Sequence, residues 1–220
     1  MIGKNENICL IGTSHIAQQS VLEVKTAIAS LKPKIVALEM DSKRFASLMS
    51  KKRKITLRDI KYLGVRGFIF NIIGAAIERR LGRLVKTAPG SEIKVAVESA
   101  KQVDAKLALI DQDISITLKR LTSSLTWKEK FRFIKELVLA VFKRSQKISF
   151  DLRRVPDQKV IQKLTNELKK KYPSVYRTLI TERDDHMAKA LNKISTDYPQ
   201  EKIVAIVGAG HIEGILRKLD

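Results

Sequence analysis

Two of the three histidines follow a glycine at the same distance, in Gly12-Thr13-Ser14-His15 and in Gly208-Ala209-Gly210-His211. Each tetrapeptide closes a short apolar run, so each imidazole stands just past the carboxyl end of a candidate strand. Glycine at that point lets the backbone turn sharply and approach a ligand closely, which makes Gly12, Gly208 and Gly210 the expected backbone turns. A third apolar run, Ile35-Val36-Ala37-Leu38, ends in Glu39. Two neutral imidazoles and one carboxylate form a nitrogen and oxygen set that suits zinc, cobalt or manganese, with an open position for a nucleophilic water. His15, Glu39 and His211 are therefore the candidate catalytic and metal-ligating residues.

A fourth run, Lys106-Leu107-Ala108-Leu109-Ile110, ends in Asp111-Gln112-Asp113 and supplies further carboxylates. In one assignment Glu39 is a ligand. In another it is the general base, and Asp111 or Asp113 completes the metal shell. An aspartate after a strand also serves as a turn or cap residue, and Asp41 suits the start of the helix beyond Glu39. Arg44, Arg120 and Arg183 are candidates for binding a substrate carboxylate or stabilising an oxyanion, and each equally suits an exposed salt bridge. His186 lacks the preceding glycine and falls in a helical pattern, which reads as structural. Ser14 and His15 are no catalytic pair, because adjacent side chains diverge. Gly208 to Glu213 begins like a dinucleotide fingerprint, but its sixth position is Glu213 and seven residues follow, too few for a second strand. The lone Cys9 excludes an internal disulfide framework and a thiolate zinc cluster, and fits a reducing compartment.

These residues need a scaffold that brings them together. Asn7 to Ile11, Ile35 to Leu38, Lys106 to Ile110 and Lys202 to Val207 read as buried strands. Ser20 to Leu31 places Val21, Val24, Ile28 and Leu31 on one helical face, giving a strand, helix, strand order. Apolar residues recur at helical spacing through Tyr62 to Val85, Trp127 to Phe142 and Val175 to Ile194. Thr126-Trp127-Lys128-Glu129 has the spacing of a capping box, Pro89-Gly90 precedes a helix through Val95 and Val103, and Tyr198-Pro199-Gln200 turns into the last strand. The expected fold is α/β, with a mostly parallel central sheet flanked by helices and a helical insertion in the middle of the chain. We read residues 1–220 as one domain, with a helical subdomain at about 55–195 interrupted by a strand near 106–110. Ligands of such sheets bind outside the carboxyl ends of the strands, where positions 15, 39, 111 and 211 meet.

Charge narrows the partners. The net charge is +20, and residues 51–150 hold 23 basic against 9 acidic groups. Such an excess attracts anionic lipid, nucleic acid or acidic peptides. Aromatics are only 5%, and no nucleic-acid-binding signature is evident, so nucleic acid is the weakest of these partners. Basic amphipathic helices suit an anionic membrane surface, and the long ones in the middle of the chain could pair two subunits as a homodimer. The longest apolar stretch, Gly67 to Ile77, is too short to span a bilayer. The N-terminus shows no secretory signal, and we expect a mature, soluble, cytoplasmic chain, with membrane association as a variant of that expectation.

Several motifs in order resemble the TraB/PrgY family. They are Gly12-Thr13-Ser14-His15 with Ser20, Leu38-Glu39-Met40-Asp41 with Arg44, Pro89-Gly90-Ser91-Glu92, and Leu109 to Ile114 with Thr117 and Arg120. Glu182-Arg183-Asp184 with Met187-Ala188, and Val207 to His211 with Gly214-Ile215, complete the set. The resemblance extends to the Tiki membrane-associated metalloproteases, whose paired Gly-x-x-His motifs and glutamate are taken as the metal-dependent active site. It implies those roles here for His15, His211 and Glu39, an erythromycin-esterase or ChaN-like fold, and a part in limiting peptide signals, as in pheromone shutdown. Gln112 departs from the arginine expected between the two aspartates. Relatives of this kind often continue into C-terminal transmembrane helices, so a soluble fragment or a short homologue is expected. The function this implies is metal-dependent peptide hydrolysis. The alternative is a non-enzymatic protein that sequesters a peptide at an anionic membrane surface.

Overall fold

The computed structural model describes residues 7–13, 18–50, 90–142 and 158–219. The expected helix over Tyr62 to Val85 lies outside them. Four apolar runs form four strands: β1 (Ile8–Thr13), β2 (Ile35–Leu38), β3 (Lys106–Leu109) and β4 (Ile203–Gly208). They make one parallel sheet in the order β1-β4-β2-β3. In β4 every residue is buried, as a central parallel strand covered on both faces requires, which is why its sequence is continuously apolar instead of alternating.

The helices are α1 (Gln18–Leu31), α2 (Ser42–Met49), α3 (Ser91–Gln102), α4 (Ile114–Ser124), α5 (Trp127–Phe142) and α6 (Gln158–Lys171). They are followed by α7 (Pro173–Tyr176), a π-helical turn (Arg177–Thr181), α8 (Glu182–Asp197) and α9 (Ile212–Leu216). Helical spacing decides which residues face the sheet. On one face Val24, Ala27 and Ile28 of α1, with Ile93, Ala96, Val97 and Ala100 of α3, pack on Ile11, Val36, Leu38, Val204 and Ile206. On the other, Met187, Ala188 and Leu191 of α8, with Ile212 and Ile215 of α9, pack on Leu10, Ile35, Ala37, Ile203 and Ala205. The result is three layers, helix, sheet, helix. Burying one Leu or Ile side chain in such a core contributes roughly 1.5–3 kcal/mol.

Local signals account for the element ends. The capping box forms as its spacing predicts: the Thr126 N–H donates to Glu129 Oε2 at 2.9 Å, and the Glu129 N–H donates to Thr126 Oγ1 at 3.3 Å. Glu129 Oε1 also accepts the Ser174 N–H at 2.7 Å, tying the start of α5 to α7. Two expectations need correction. β3 is not a fully buried strand: Leu107 and Leu109 are 37% and 38% exposed, because β3 ends the strand order and pairs with β2 alone among the described residues. The helix expected over Val175 to Ile194 begins at Pro173, ends at Asp197 and is interrupted by the π-helical turn. Among the described residues, no helix is long and apolar enough to cross a membrane.

Candidate functional site

Register sets which residues meet. Thr13 pairs with Gly208, Leu38 with Ile206 and Leu38 with Leu109, so all four strands deliver the chain to one rim. Ser14 and His15, the first and second residues beyond β1, lie outside the described residues. Gly12 and Gly208 are the penultimate residue of β1 and the last of β4, while Gly210 lies in the turn beyond β4. At Gly12 a side chain would crowd the Ala209 backbone at 3.3 Å and Ile212 at 3.1 Å; at Gly210 there is open space. The close approach of the β1 end to the 209 turn is thus what Gly12 permits.

Glu39 continues β2, its N–H donating to the Ile206 carbonyl at 3.0 Å, and its side chain is buried. One carboxylate oxygen, Oε2, accepts the Gly208 N–H. The other, Oε1, lies 3.4 Å from His211 Nε2 and accepts a hydrogen bond from Arg183 Nη2. His211 caps the turn into α9, where its N–H donates to the Gly208 carbonyl at 2.9 Å. Its Nδ1 is 2.6 Å from Asp184 Oδ1, and its Nε2 is 3.1 Å from Arg183 Nη1. A guanidinium only donates, so Nε2 is the accepting nitrogen and the imidazole proton sits on Nδ1, held by Asp184. That tautomer carries its lone pair on Nε2, the state a metal-ligating histidine adopts when a carboxylate orients it from behind.

Arg183 is the hub. Its Nε donates to Asp111 Oδ1 at 3.0 Å and its Nη2 to Asp111 Oδ2 at 2.7 Å, a bidentate fork, while Nη1 reaches the Leu179 carbonyl at 3.3 Å. Leu179 belongs to the π-helical turn, a feature frequent near functional sites. Asp111 Oδ2 also accepts from Arg44 Nη2, and Arg44 Nε donates to Asp41 Oδ2 at 2.5 Å. A continuous chain of contacts therefore runs from Asp41 through Arg44, Asp111 and Arg183 to Glu39, His211 and Asp184.

The electrostatics follow burial and partners. Burial opposes charge on Asp111, but the hydrogen bonds and charge of Arg183, then of Arg44, outweigh it and hold the carboxyl below its ordinary value. Burial likewise opposes the Arg183 charge, and Asp111 with Glu39 overcomes it, so the guanidinium is held more firmly protonated than usual. Burial pushes Asp184 above the usual carboxylate value, against the lowering influence of His211.

Asp41 also has a capping role, and Asp113, Arg120 and His186 stand apart from this chain of contacts. Asp41 caps α2, accepting the Lys43 and Arg44 N–H groups at 2.9 and 3.0 Å. Asp113 caps α4, accepting from Ser115 N at 2.8 Å, and pairs with Lys43 at 2.7 Å. Arg120 pairs with Glu182 at 3.0 Å on the exposed side of α4. His186 is exposed on α8. Asp184 was missed by the sequence reading, although a signal existed: it shares the buried i, i+3, i+4, i+7 stripe of α8 with Met187, Ala188 and Leu191. Gly214 figured only within a family motif, with no role assigned. A Cβ there would overlap Asp184 Oδ2, so glycine is what lets α9 approach the Asp184–His211 pair.

Two of the candidate ligands, Glu39 and His211, bring an oxygen and a nitrogen close together, and both also contact Arg183. Two ligands about 2.0–2.2 Å from one tetrahedral ion stand roughly 3.3–3.6 Å apart, and Glu39 Oε1 and His211 Nε2 are separated by 3.4 Å. No group of three or more metal-ligating side chains occurs among the described residues, and His15 lies beyond them.

The TraB/PrgY/gumN family model matches residues 2–220. An uncharacterized protein of Methanocaldococcus jannaschii is 37% identical over 222 residues, covering 99% of this chain and 54% of its own length. TraB domain-containing proteins of Bos taurus and Homo sapiens are 24% and 23% identical over 235 and 234 residues, covering 94% of this chain and 61% of theirs. The chain thus spans between about half and three fifths of the length of these relatives.

Proposed function

Since the chain belongs to the TraB/PrgY/gumN family, we propose that it is a metal-dependent peptide hydrolase that acts at the carboxyl rim of the sheet to limit a peptide signal. The observation that carries the reading is the 3.4 Å approach of Glu39 Oε1 and His211 Nε2, with the Nε2 lone pair directed by Asp184 from behind. Glu39, His211 and His15 would hold a divalent ion, zinc, cobalt or manganese. When bound, the ion supplies a Lewis acid and activates water for attack on a scissile amide. Asp184 keeps the Nδ1 proton in place, and Glu39 either stays a ligand or takes the proton of the attacking water. Arg183, only partly exposed, and Arg44 present positive charge beside that point, where a substrate carboxylate or a developing oxyanion would be stabilised.

The test is cleavage of a peptide panel by metal-loaded protein against His15→Ala, His211→Ala and Glu39→Gln. Metal-dependent cleavage that falls by about 100-fold or more in each variant is expected. Cleavage that survives all three, or none under any metal, contradicts the proposal.

A second reading, peptide capture without cleavage at an anionic membrane surface, draws on α5. Trp127 and Phe131 there are 74% and 68% exposed, beside exposed Lys128, Arg132 and Lys135. Aromatics among cations on one helix suit an anionic interface. This reading expects salt-sensitive binding to anionic liposomes that persists in His211→Ala, and absence of binding at low salt counts against it.

A further inference from the structure

We propose that Arg183 is a resident cation of the metal position, which the divalent ion must displace and which thereby sets the affinity of the site. The inference rests on the metal reading above. The two atoms that would ligate the ion, Glu39 Oε1 and His211 Nε2, are the same two atoms that accept from Arg183 Nη2 and Nη1. Arg183 Nη1 and the ion compete for the one lone pair on His211 Nε2, which cannot serve both. The contact chain through the site holds four buried carboxylates, Glu39, Asp41, Asp111 and Asp184, and two guanidiniums, Arg44 and Arg183. An extra positive charge is therefore tolerated there.

Displacement does not require Arg183 to leave the pocket. Its fork on Asp111 uses Nε and Nη2, and Nη1 keeps the Leu179 carbonyl. A rotation that surrenders the Glu39 and His211 contacts would leave the guanidinium anchored on Asp111. The Arg183 contacts hold Glu39 and His211 in their 3.4 Å approach and would lower the affinity for an ion at the same two atoms. In population terms, the apparent dissociation constant is the intrinsic one divided by the fraction of chains with Arg183 swung back.

Titration of the full chain with Co2+, followed by the visible absorption of the bound ion, tests this. Loss of binding in His211→Ala locates the site. Arg183→Gln is expected to bind Co2+ about tenfold or more tightly than wild type while its metal-free form melts at lower temperature. Because that variant leaves Asp111 with one partner fewer, Arg183→Gln/Asp111→Asn removes the pair together and is expected to show the same gain. In the wild-type chain, side-chain NMR of Arg183 gives a readout free of any variant: added Zn2+ should shift the Nη signals and leave the Nε–H held by Asp111. Equal or weaker Co2+ binding in the folded variants, or Nη signals unmoved at saturating Zn2+, overturns the inference alone. No Co2+ binding by wild type or by the variants overturns the metal reading and this inference with it.

Discussion

The tips of β2 and β3 carry the same pattern, two acids separated by one residue, Glu39-Met40-Asp41 and Asp111-Gln112-Asp113. In both, the first acid contacts Arg183 and the second caps the next helix. Extended backbone brings each first acid to the pocket, and the free N–H groups of the helix claim each second one. The two first acids nonetheless differ. Asp111 commits both oxygens to guanidinium groups, whereas Glu39 gives one oxygen to the Gly208 N–H and directs the other at His211. Equal sequence positions thus yield an anchor at one tip and a candidate ligand at the other, because of these two strands β2 neighbours β4 and β3 does not.

The largest effect that would break this contrast is expected at the anchor. Asp111→Ala removes the fork on a largely buried guanidinium and should cost about 3–5 kcal/mol in denaturant unfolding. Gly214→Ala comes next: its methyl would displace Asp184 from His211, costing about 1–3 kcal/mol and weakening metal binding about 10–100-fold. Calorimetric melting with metal titration checks both effects, and unchanged metal binding would remove Asp184 from its orienting role. Asp41→Ala should cost about 1–2 kcal/mol through the lost cap and leave metal binding close to wild type. The smallest effect is at Asp113, whose carboxyl Lys43, with Ser115, holds down to about 2. A depressed folded value means its stabilisation is complete above the unfolded value near 4 and is lost as pH falls toward 2. Urea unfolding of Asp113→Asn should therefore approach wild type as pH drops through that window.

Much of the scaffold was legible because its signals are local. β4 is a continuous apolar run, α5 begins at its capping box, and the carboxyl-rim rule follows from parallel pairing. The exposure of β3 was not legible, since an edge strand and a central one share the run Leu107-Ala108-Leu109 and differ only in what covers them. Of the candidate ligands, Glu39 and His211 were found from strand ends. Arg183 was singled out as a substrate-binding residue, yet its place between them was hidden, because nothing local marks this arginine as one that is largely buried. Asp184 reads as a first-turn acid of α8; its place on the apolar stripe marks it as buried, and the partner 27 residues away gives its second role.

Anomalous X-ray scattering from crystals of the full chain grown with Co2+ tests the central claim most directly. The account predicts one strong peak within ligand distance of both His211 Nε2 and Glu39 Oε1, about 2.0–2.2 Å from each. A peak that contacts neither residue, or crystals that hold no ordered ion despite saturating Co2+, would contradict it.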